Sequence, residues 1–362
     1  MNVGNVGNVG NVGNVGNVGN VGNVGNVGNV GNVGAEAIAA PASGALILAR
    51  DGVMNEFGPK NDALTHLAFN APGHLSRWDS GSRLAAVQTE VMAGLQVRAI
   101  ADTETAEVVY GNLDLPDGQV SPIVSIVRPG KDVFLAQIDG VRSAASLRLD
   151  RASEILSQVG EILSFISLPV SMNLQRHKWT LEVLQAVVLP IISLEKAMKH
   201  ILACRRPAEY DPSIQPMIST PAHGSYPSGH ATEAFAIAEV LMAIAADARS
   251  TFAEEVRAQI TLHATRVAHN RVVAGVHFHV DTMAGATLGR SLARHILARA
   301  GAGSSSPMRV APALTHRVFE LPHFEMAYHA ANAGPYERLA ANPAAPAPLL
   351  ASLIAQAKNE WT

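Results

Sequence analysis

Three short stretches of the sequence carry side chains suited to binding and attacking a tetrahedral oxyanion. The first supplies two cations, the second a turn that opens a helix, and the third a further cation followed by a histidine and a carboxylate. Fixed cations and unpaired backbone N–H groups hold such an anion, and a histidine oriented by a carboxylate can act as a nucleophile. The residues are Lys199 and Arg206, then Ser228, Gly229 and His230, then Arg271, His277 and Asp281.

The first stretch places Lys199 and Arg206 seven residues apart. On one helix this spacing is nearly two full turns, so both side chains leave from the same face. Pro207 is expected to end that helix. A solvated basic helix end remains the alternative, because Lys and Arg also suit the negative end of a helix dipole.

The second stretch, Tyr226–His230, precedes an apolar helical run. Ser228 is a good N-cap candidate, and the backbone N–H groups that follow it can hold an anion. His230 lies in the first turn, where the helix dipole disfavours an imidazolium and a bound anion would reverse that preference. An ordinary helix cap with an exposed histidine is the alternative. His223, seven residues earlier, is expected to line the mouth of the site.

The third stretch places His277 and Asp281 four residues apart, so they can share one helical face. The carboxylate could accept the Nδ1 proton and leave Nε2 available as a nucleophile or a ligand. Arg271 lies six residues before His277, and a bend at Gly275 is expected to bring it round. A simple ion pair at a helix start is the alternative.

The composition argues against several kinds of partner and site. The net charge of -3 does not indicate a nucleic-acid partner, and the single cysteine, Cys204, excludes an internal disulfide. We expect Cys204 to be a small core residue. Several histidines lie near the third stretch, but a zinc site needs three or four converging ligands, and His279 should point away from His277. No metal site is therefore predicted.

Helical spacing of apolar residues dominates the chain from about residue 146. Pro169 and Pro190 are expected to kink or split the first two helices. The helical stretches are Arg148–Gln175, His177–Cys204, Ala231–Ala246, Thr251–His269 and Asp281–Ala300. The predicted fold class is all-α: a helical bundle core of at least five helices, with an irregular N-terminal extension.

The remaining regions differ in composition. Residues 1–34 contain eleven Asn-Val-Gly repeats, predicted to be disordered, with a stacked β-solenoid as the alternative. Residues 35–145 read as a loop-rich extension, residues 146–300 as the helical domain, and residues 301–362 as a linker and tail. Short β-like runs occur in the extension and a last helix is expected in the tail: Glu107–Tyr110, Val120–Val127, Val133–Gln137 and Leu349–Lys358.

Hydropathy gives no transmembrane segment. The best apolar candidate, Ile162–Gln175, is shorter than the roughly 20 residues that cross a bilayer. The N-terminus shows no basic region followed by an apolar core, so no secretory signal is predicted. We therefore expect a soluble, cytoplasmic protein.

Together the motifs resemble those of one superfamily, which joins type 2 phosphatidic acid phosphatases, bacterial class A acid phosphatases and vanadium-dependent haloperoxidases. The three motifs are Lys199 with Arg206-Pro207, Pro227 to His230, and Arg271 with His277 and Asp281, in the order that the superfamily shows. Asn270 stands where the third motif usually has serine. The resemblance covers about Lys199 to Asp281, and residues 146–300 with the flanking helices.

The resemblance implies a helical bundle with the site at the helix ends. In the phosphatases the residue matching His277 attacks phosphorus and forms a phosphohistidine, the residue matching Asp281 orients it, and the one matching His230 protonates the leaving oxygen. The residues that would hold the phosphate oxygens are Lys199, Arg206, Ser228, Gly229 and Arg271. In the haloperoxidases the same cage holds vanadate on the residue matching His277, and His230 would act as acid and base.

Between these activities the sequence favours a soluble bacterial phosphatase acting on small phosphate monoesters or diphosphates without a cofactor. The loop before His230 and the short interval from His230 to Arg271 resemble class A acid phosphatases. His223 and Ala231 favour the alternative, a haloperoxidase that uses vanadate. A binding or scaffold protein with a vestigial cage is a third alternative. The resemblance leaves a homo-oligomer open.

Overall fold

The structure, a computed structural model, describes residues 63–111, 120–246, 253–316, 318–329 and 332–362. The predictions for the Asn-Val-Gly repeats lie outside the described residues, as do those for residues 35–62. The chain divides into two compact units, Met1–Arg83 and Leu84–Thr362. The predicted domain boundaries at residues 34, 145 and 300 stay predictions.

The first unit is described only from residue 63. It holds a short 3-10 helix, Pro72–Arg77, and the first residues of helix α1. The Arg83 guanidinium donates to the backbone oxygens of Leu75 and Trp78 at 2.9 and 2.7 Å, which fixes that turn.

Helices make up most of the second unit. The α-helices in chain order are α1 (Ser80–Met92), α2 (Lys131–Ala144), α3 (Arg148–Ser157), α4 (Leu163–Ile166), α5 (Lys178–Leu202), α6 (Pro207–Tyr210), α7 (Gly229–Leu241), α8 (Ala253–Val273), α9 (His279–Arg299), α10 (Leu321–His329) and α11 (Pro348–Asn359). A π-helical turn, Met242–Ala246, continues α7. The expectation of a mostly helical protein is confirmed.

A six-stranded sheet makes the all-α class wrong. Its order is β1-β2-β3-β4-β6-β5, with β3 and β4 parallel and the other neighbours antiparallel. The strands are β1 (Leu95–Ile100), β2 (Thr105–Gly111), β3 (Val120–Val127), β4 (Met308–Val310), β5 (Asn332–Ala333) and β6 (Tyr336–Arg338). The sheet joins residues 95–127 to residues 308–338, two regions that were predicted to be an irregular extension and a tail.

Close contact between α7 and α9 forms the centre of the helical unit. A Cβ at Gly285 or Gly289 would overlap the carbonyl oxygens of Ser228 and Thr232, so glycine allows the two backbones to approach. α7 also packs against α5 and α8, while β2 packs on α5 and β3 on α9. This contact places the start of α7 beside the start of α9.

Several predicted elements differ in the structure. Val133–Gln137 lies inside α2 rather than in a strand, because a short apolar run fits either period. The predicted helix Arg148–Gln175 divides into α3, α4 and a 3-10 turn that contains Pro169. Pro190 does not divide α5, which continues to Leu202.

The strands predicted at Glu107–Tyr110 and Val120–Val127 are present as β2 and β3. The helix predicted at Leu349–Lys358 is present as α11.

One segment of the described chain has the length and apolar composition of a membrane span. It is Gly229–Ala246, of which 78% is buried inside the protein. A core helix meets the same criteria, and α7 has helices on several sides. The soluble, cytoplasmic assignment stays a prediction.

Candidate active site

Lys199 fixes the loop that leads into α7. Its Nζ donates to the backbone oxygens of Gly224 and Ser225 at 3.2 and 3.0 Å, and also to that of Pro227. It forms an ion pair of 3.1 Å with Glu195 Oε1, one turn earlier on α5. An ammonium has only three N–H bonds. A contact between Lys199 and an oxyanion therefore requires the exchange of one of these acceptors, and that role stays a prediction.

Arg206 follows the end of α5, where Ala203 turns the chain with a φ of 46°. Its Nη1 donates to the Val276 oxygen at 2.8 Å and lies 3.5 Å from His277 Nε2. Its Nε donates to the His223 oxygen at 3.1 Å. Arg206 thus connects the start of α6, the loop before α7 and the turn before α9.

The start of α7 offers backbone donors. Ser228 is the N-cap, and its Oγ accepts from Ala231 N at 3.4 Å, as the sequence predicted. Its own N–H donates to the Asp281 backbone oxygen at 2.9 Å. Among the described residues the N–H groups of Gly229 and His230 have no acceptor. They are therefore available to an anion at this helix terminus.

The turn between α8 and α9 carries the catalytic pair predicted from sequence. Gly275 has a φ of 80°, and a side chain there would collide with the Arg148 guanidinium and Ile214, so this glycine makes the expected bend. Val273, Ala274 and Val276 pack on Ile155 of α3 and anchor the turn.

His277 and Asp281 are in direct contact. His277 Nδ1 lies 2.8 Å from Asp281 Oδ2, which also accepts from Phe278 N at 2.9 Å. The carboxylate therefore both caps α9 and orients the imidazole. An ionised Asp281 accepts the Nδ1 proton, so the Nε2 lone pair of His277 lies on the side of Arg206.

Arg271 carries donors without partners. Its Nη2 donates to Gln158 Oε1 at 3.0 Å and to the Ile155 oxygen at 3.2 Å. Its buried Nε and Nη1 have no hydrogen-bond partner among the described residues. Buried guanidinium N–H groups without acceptors are costly, and an oxyanion is the ligand that would satisfy them.

His230 is held by Gln158, the residue that follows α3. Its Nε2 lies 2.9 Å from the Gln158 backbone oxygen and must donate to it, which leaves Nδ1 as the acceptor. Gln158 thus contacts both His230 and Arg271. Sequence reasoning missed Gln158 and Glu195, since neither belongs to a motif and both act by supporting motif residues.

His223 contacts Arg206, and its predicted place at the mouth of the site stays a prediction. Its side chain is exposed, and its Nδ1 is 3.3 Å from Arg206 Nη2. The side chains predicted to form the oxyanion cage are buried. The exposed fractions are 2% for Lys199 and Arg206, 1% for Arg271, 5% for His277 and 0% for Asp281.

Burial and positive charge set the protonation of the site. Burial, with Lys199, Arg206 and Arg271, holds the pKa of His277 well below its ordinary value. Burial raises the pKa of Asp281 to about 7, against the opposing effect of Lys199 and Arg206. His277 is therefore neutral near pH 7, the state in which a nucleophile must be.

The pKa values of His230 and Arg271 shift for related reasons. Burial and the charge of Arg271 lower the pKa of His230 to about 3. Burial lowers the pKa of Arg271 to about 10, so this guanidinium stays charged at neutral pH. A dianion bound beside His230 would raise its pKa.

Metal ligands do not cluster in the part of the chain that the structure describes: no three His, Cys, Asp or Glu side chains converge there. His279 stacks on His269 with ring centroids 5.8 Å apart. Burial raises the pKa of Cys204 to about 12, so its thiol stays protonated.

One family of known proteins matches the part of the chain that carries these residues. Residues 179–301 match the family model described as the PAP2 superfamily, and the match contains all three motifs. Proteins of this superfamily are generally phosphoesterases or haloperoxidases. The match supports the superfamily for this domain of the chain. No curated protein sequence matches the chain.

Proposed function

We propose that this protein is a phosphatase that hydrolyses small phosphate monoesters or diphosphates through a phosphohistidine, without a cofactor. The observation that carries the proposal is the contact of 2.8 Å between His277 Nδ1 and Asp281 Oδ2, set among buried arginines. Phosphoryl transfer is catalysed chiefly by positioning and by stabilising charge on the equatorial oxygens. Buried cations and unpaired backbone N–H groups supply both.

The first step forms the phosphoenzyme. The Nε2 lone pair of His277 attacks phosphorus, an N–P bond forms, and the P–O bond to the leaving group breaks. The unpartnered Nε and Nη1 of Arg271 and the N–H groups of Gly229 and His230 are the donors for the phosphoryl oxygens. Asp281 holds the Nδ1 proton and stabilises the positive charge that develops on the ring.

Proton delivery falls to His230. Its Nε2 is engaged by the Gln158 oxygen, so Nδ1 is the atom that takes up a proton when the dianionic substrate binds. That proton passes to the leaving oxygen. Neutral His230 then accepts a proton from water as the water attacks phosphorus, the N–P bond breaks, and phosphate leaves with His277 regenerated.

The test is hydrolysis of p-nitrophenyl phosphate by the full chain, with and without EDTA. We expect turnover that EDTA does not remove and that His277→Ala abolishes. His200→Ala is the matched control, because His200 is an exposed histidine next to Lys199 on α5. No turnover at acid or neutral pH, or complete loss with EDTA, would refute the proposal.

A vanadium-dependent haloperoxidase is the second candidate, favoured by the contact of 3.3 Å between His223 and Arg206. The unpartnered N–H groups of Arg271 fit vanadate as well as phosphate. His277 Nε2 would bind the vanadate, and Lys199, Arg206 and Arg271 would hold its oxygens. When bound, vanadate supplies the oxidation of halide by hydrogen peroxide.

A bromination assay separates the two candidates. The chain is incubated with orthovanadate, peroxide and bromide, and bromination of a phenolic dye is followed. Vanadate-dependent bromination without phosphate release would favour the haloperoxidase. Phosphate release without bromination would exclude it.

A further inference from the structure

A cavity lies between α3, α8 and α9, outside the candidate active site. It has a volume of about 320 Å³ and a largely apolar lining that includes Leu262 and Phe319. A few polar groups interrupt that lining, among them Arg151, His269 and Thr282. Small-molecule sites commonly combine an apolar wall with a few converging polar groups. We call this cavity the Thr282 pocket.

The hydroxyl of Thr282 is buried and lacks a hydrogen-bond partner among the described residues. Its side chain is 1% exposed, and its Oγ1 has no hydrogen-bond partner among the described residues. Other buried threonines on these helices, such as Thr287, donate to the oxygen four residues earlier. An unpaired buried hydroxyl that lines a cavity indicates a ligand that completes it.

Arg151 brings to the pocket a positive charge that has no ion-pair contact among the described residues. Its Nη1 donates to His269 Nδ1 at 2.9 Å and to Asn270 Oδ1 at 3.1 Å, both neutral acceptors. Among the described residues no carboxylate lies within ion-pair distance of it. Arg266, in contrast, is paired with Glu154 at 2.9 Å. One partly buried guanidinium charge therefore remains for an anion.

His269 adds a neutral donor. Because Arg151 donates to its Nδ1, the ring proton lies on Nε2. Burial and the two arginines lower the pKa of His269, and burial lowers that of the stacked His279 to about 4, so both rings are neutral. One unneutralised cation with two neutral donors suits a singly charged carboxylate better than a phosphate dianion.

We propose that the Thr282 pocket binds a small organic carboxylate with an apolar body, at a site separate from the oxyanion cage. The carboxylate contacts Arg151 and the Thr282 hydroxyl, and the apolar part contacts Leu262 and Phe319. This proposal does not depend on the phosphatase activity, because binding can be measured on a catalytically inactive chain.

Hexanoate is the probe, and calorimetry on the His277→Ala full chain is the measurement. A ligand of this size should bind with a Kd on the order of 1 mM. Acetate and hexan-1-ol should each bind at least about tenfold more weakly, since one lacks the apolar body and the other the charge. Saturating orthovanadate on the wild-type chain should leave hexanoate binding in place.

Two variants locate the binding. Leu262→Glu adds a carboxylate to a half-exposed position and should weaken hexanoate binding about tenfold, whereas the matched Leu262→Gln should not. Thr282→Val keeps the shape, removes only the hydroxyl, and should weaken binding about fivefold.

The proposal is overturned by absence of hexanoate binding, by equal affinity for hexan-1-ol, by equal effects of the two Leu262 variants, or by displacement with orthovanadate. Failure of the phosphatase assay would leave these outcomes unchanged.

Discussion

At the scale of single residues, Asp281 performs two tasks with one oxygen. Its Oδ2 accepts from Phe278 N at the start of α9 and from His277 Nδ1. The backbone at the start of α9 thereby holds the carboxylate in the position where it contacts the imidazole. Because burial raises the pKa of Asp281 to about 7, its ionisation falls within the pH range in which activity would be assayed.

Replacing Asp281 by Asn tests that role. We expect kcat to fall on the order of 1,000-fold, since a neutral amide does not stabilise a positive His277 ring. In the wild-type chain kcat/KM should rise as pH increases to about 7, because only ionised Asp281 accepts the Nδ1 proton. In the Asn variant, kcat/KM should not show this rise with pH. If the rise is retained, the group that titrates is not Asp281.

Glu195 is the second residue whose role is electrostatic. It is buried, it pairs with Lys199 at 3.1 Å and Lys196 at 3.0 Å, and a Cβ on Gly229 would lie 3.2 Å from its Oε1. A carboxylate this close to the start of α7 opposes the binding of another anion.

Glu195→Gln should therefore strengthen inhibition by orthovanadate roughly fivefold, measured as the inhibition constant against p-nitrophenyl phosphate. Glu254→Gln is the control, because Glu254 is an exposed carboxylate on α8. Weaker inhibition in Glu195→Gln would mean that its hold on Lys199 matters more than its negative charge.

At the scale of elements, the site depends on how closely α7 and α9 approach. Gly285 and Gly289 face the Ser228 and Thr232 carbonyl oxygens, and Ser228 N donates to the Asp281 oxygen. The start of α7 and the turn that holds His277 and Asp281 are thus joined by a backbone hydrogen bond. Moving the two helices apart would lengthen this hydrogen bond.

Gly289→Ala should lower the free energy of unfolding by about 1–3 kcal/mol, because the added methyl overpacks the contact despite the better helix propensity of alanine. Urea unfolding measures the change. Gly73→Ala is the control, since a Cβ at Gly73 meets nothing within 4 Å. Equal stability of the two variants would contradict the close contact.

Local pattern predicted the helices that carry the site but not the sheet. The 3.6-residue period, the Ser228 cap and the Gly275 bend are local signals, and the structure contains each of them. The pairing of β3 with β4 joins Val124 to Met308, and nothing local to either segment specifies it. β4 itself has only three residues, too few for a readable alternation.

At the scale of the whole molecule, the C-terminal residues complete the second unit. Glu360 accepts from Trp179 N and Thr180 N at 2.8 and 2.9 Å, which caps the start of α5. Glu90 caps the start of α11 through Leu349 N and Leu350 N. The segment predicted as a linker and tail therefore supports α5, the helix that carries Lys199 and precedes Arg206.

Glu360→Gln should lower the free energy of unfolding by about 1 kcal/mol, because a carboxylate at a helix N-terminus satisfies unpaired N–H groups and suits the dipole. Glu337→Gln serves as the control, since its ion pair with Arg309 is exposed. Matching unfolding midpoints for both variants would show that the Glu360 cap adds no stability.

The support around the cage was beyond sequence reasoning for the same physical reason as the sheet. Gln158 reaches Arg271 and His230 from the C-terminal end of α3, more than 70 residues away in the chain. Such contacts follow from tertiary packing and leave no spacing signal. The motif residues, by contrast, could be proposed from their types and spacing, although Arg206 lies beyond the end of α5 and not on one helix with Lys199 as the sequence predicted.

The most direct measurement of the central claim is the site of phosphoryl attachment. The full chain is mixed with a phosphate monoester and quenched rapidly with alkali, and the peptides are analysed by mass spectrometry. We predict an acid-labile, alkali-stable phosphoryl group on His277, absent from His277→Ala and present in His200→Ala. A phosphoryl group on another residue, or turnover with no phosphoenzyme at any quench time, would contradict the account.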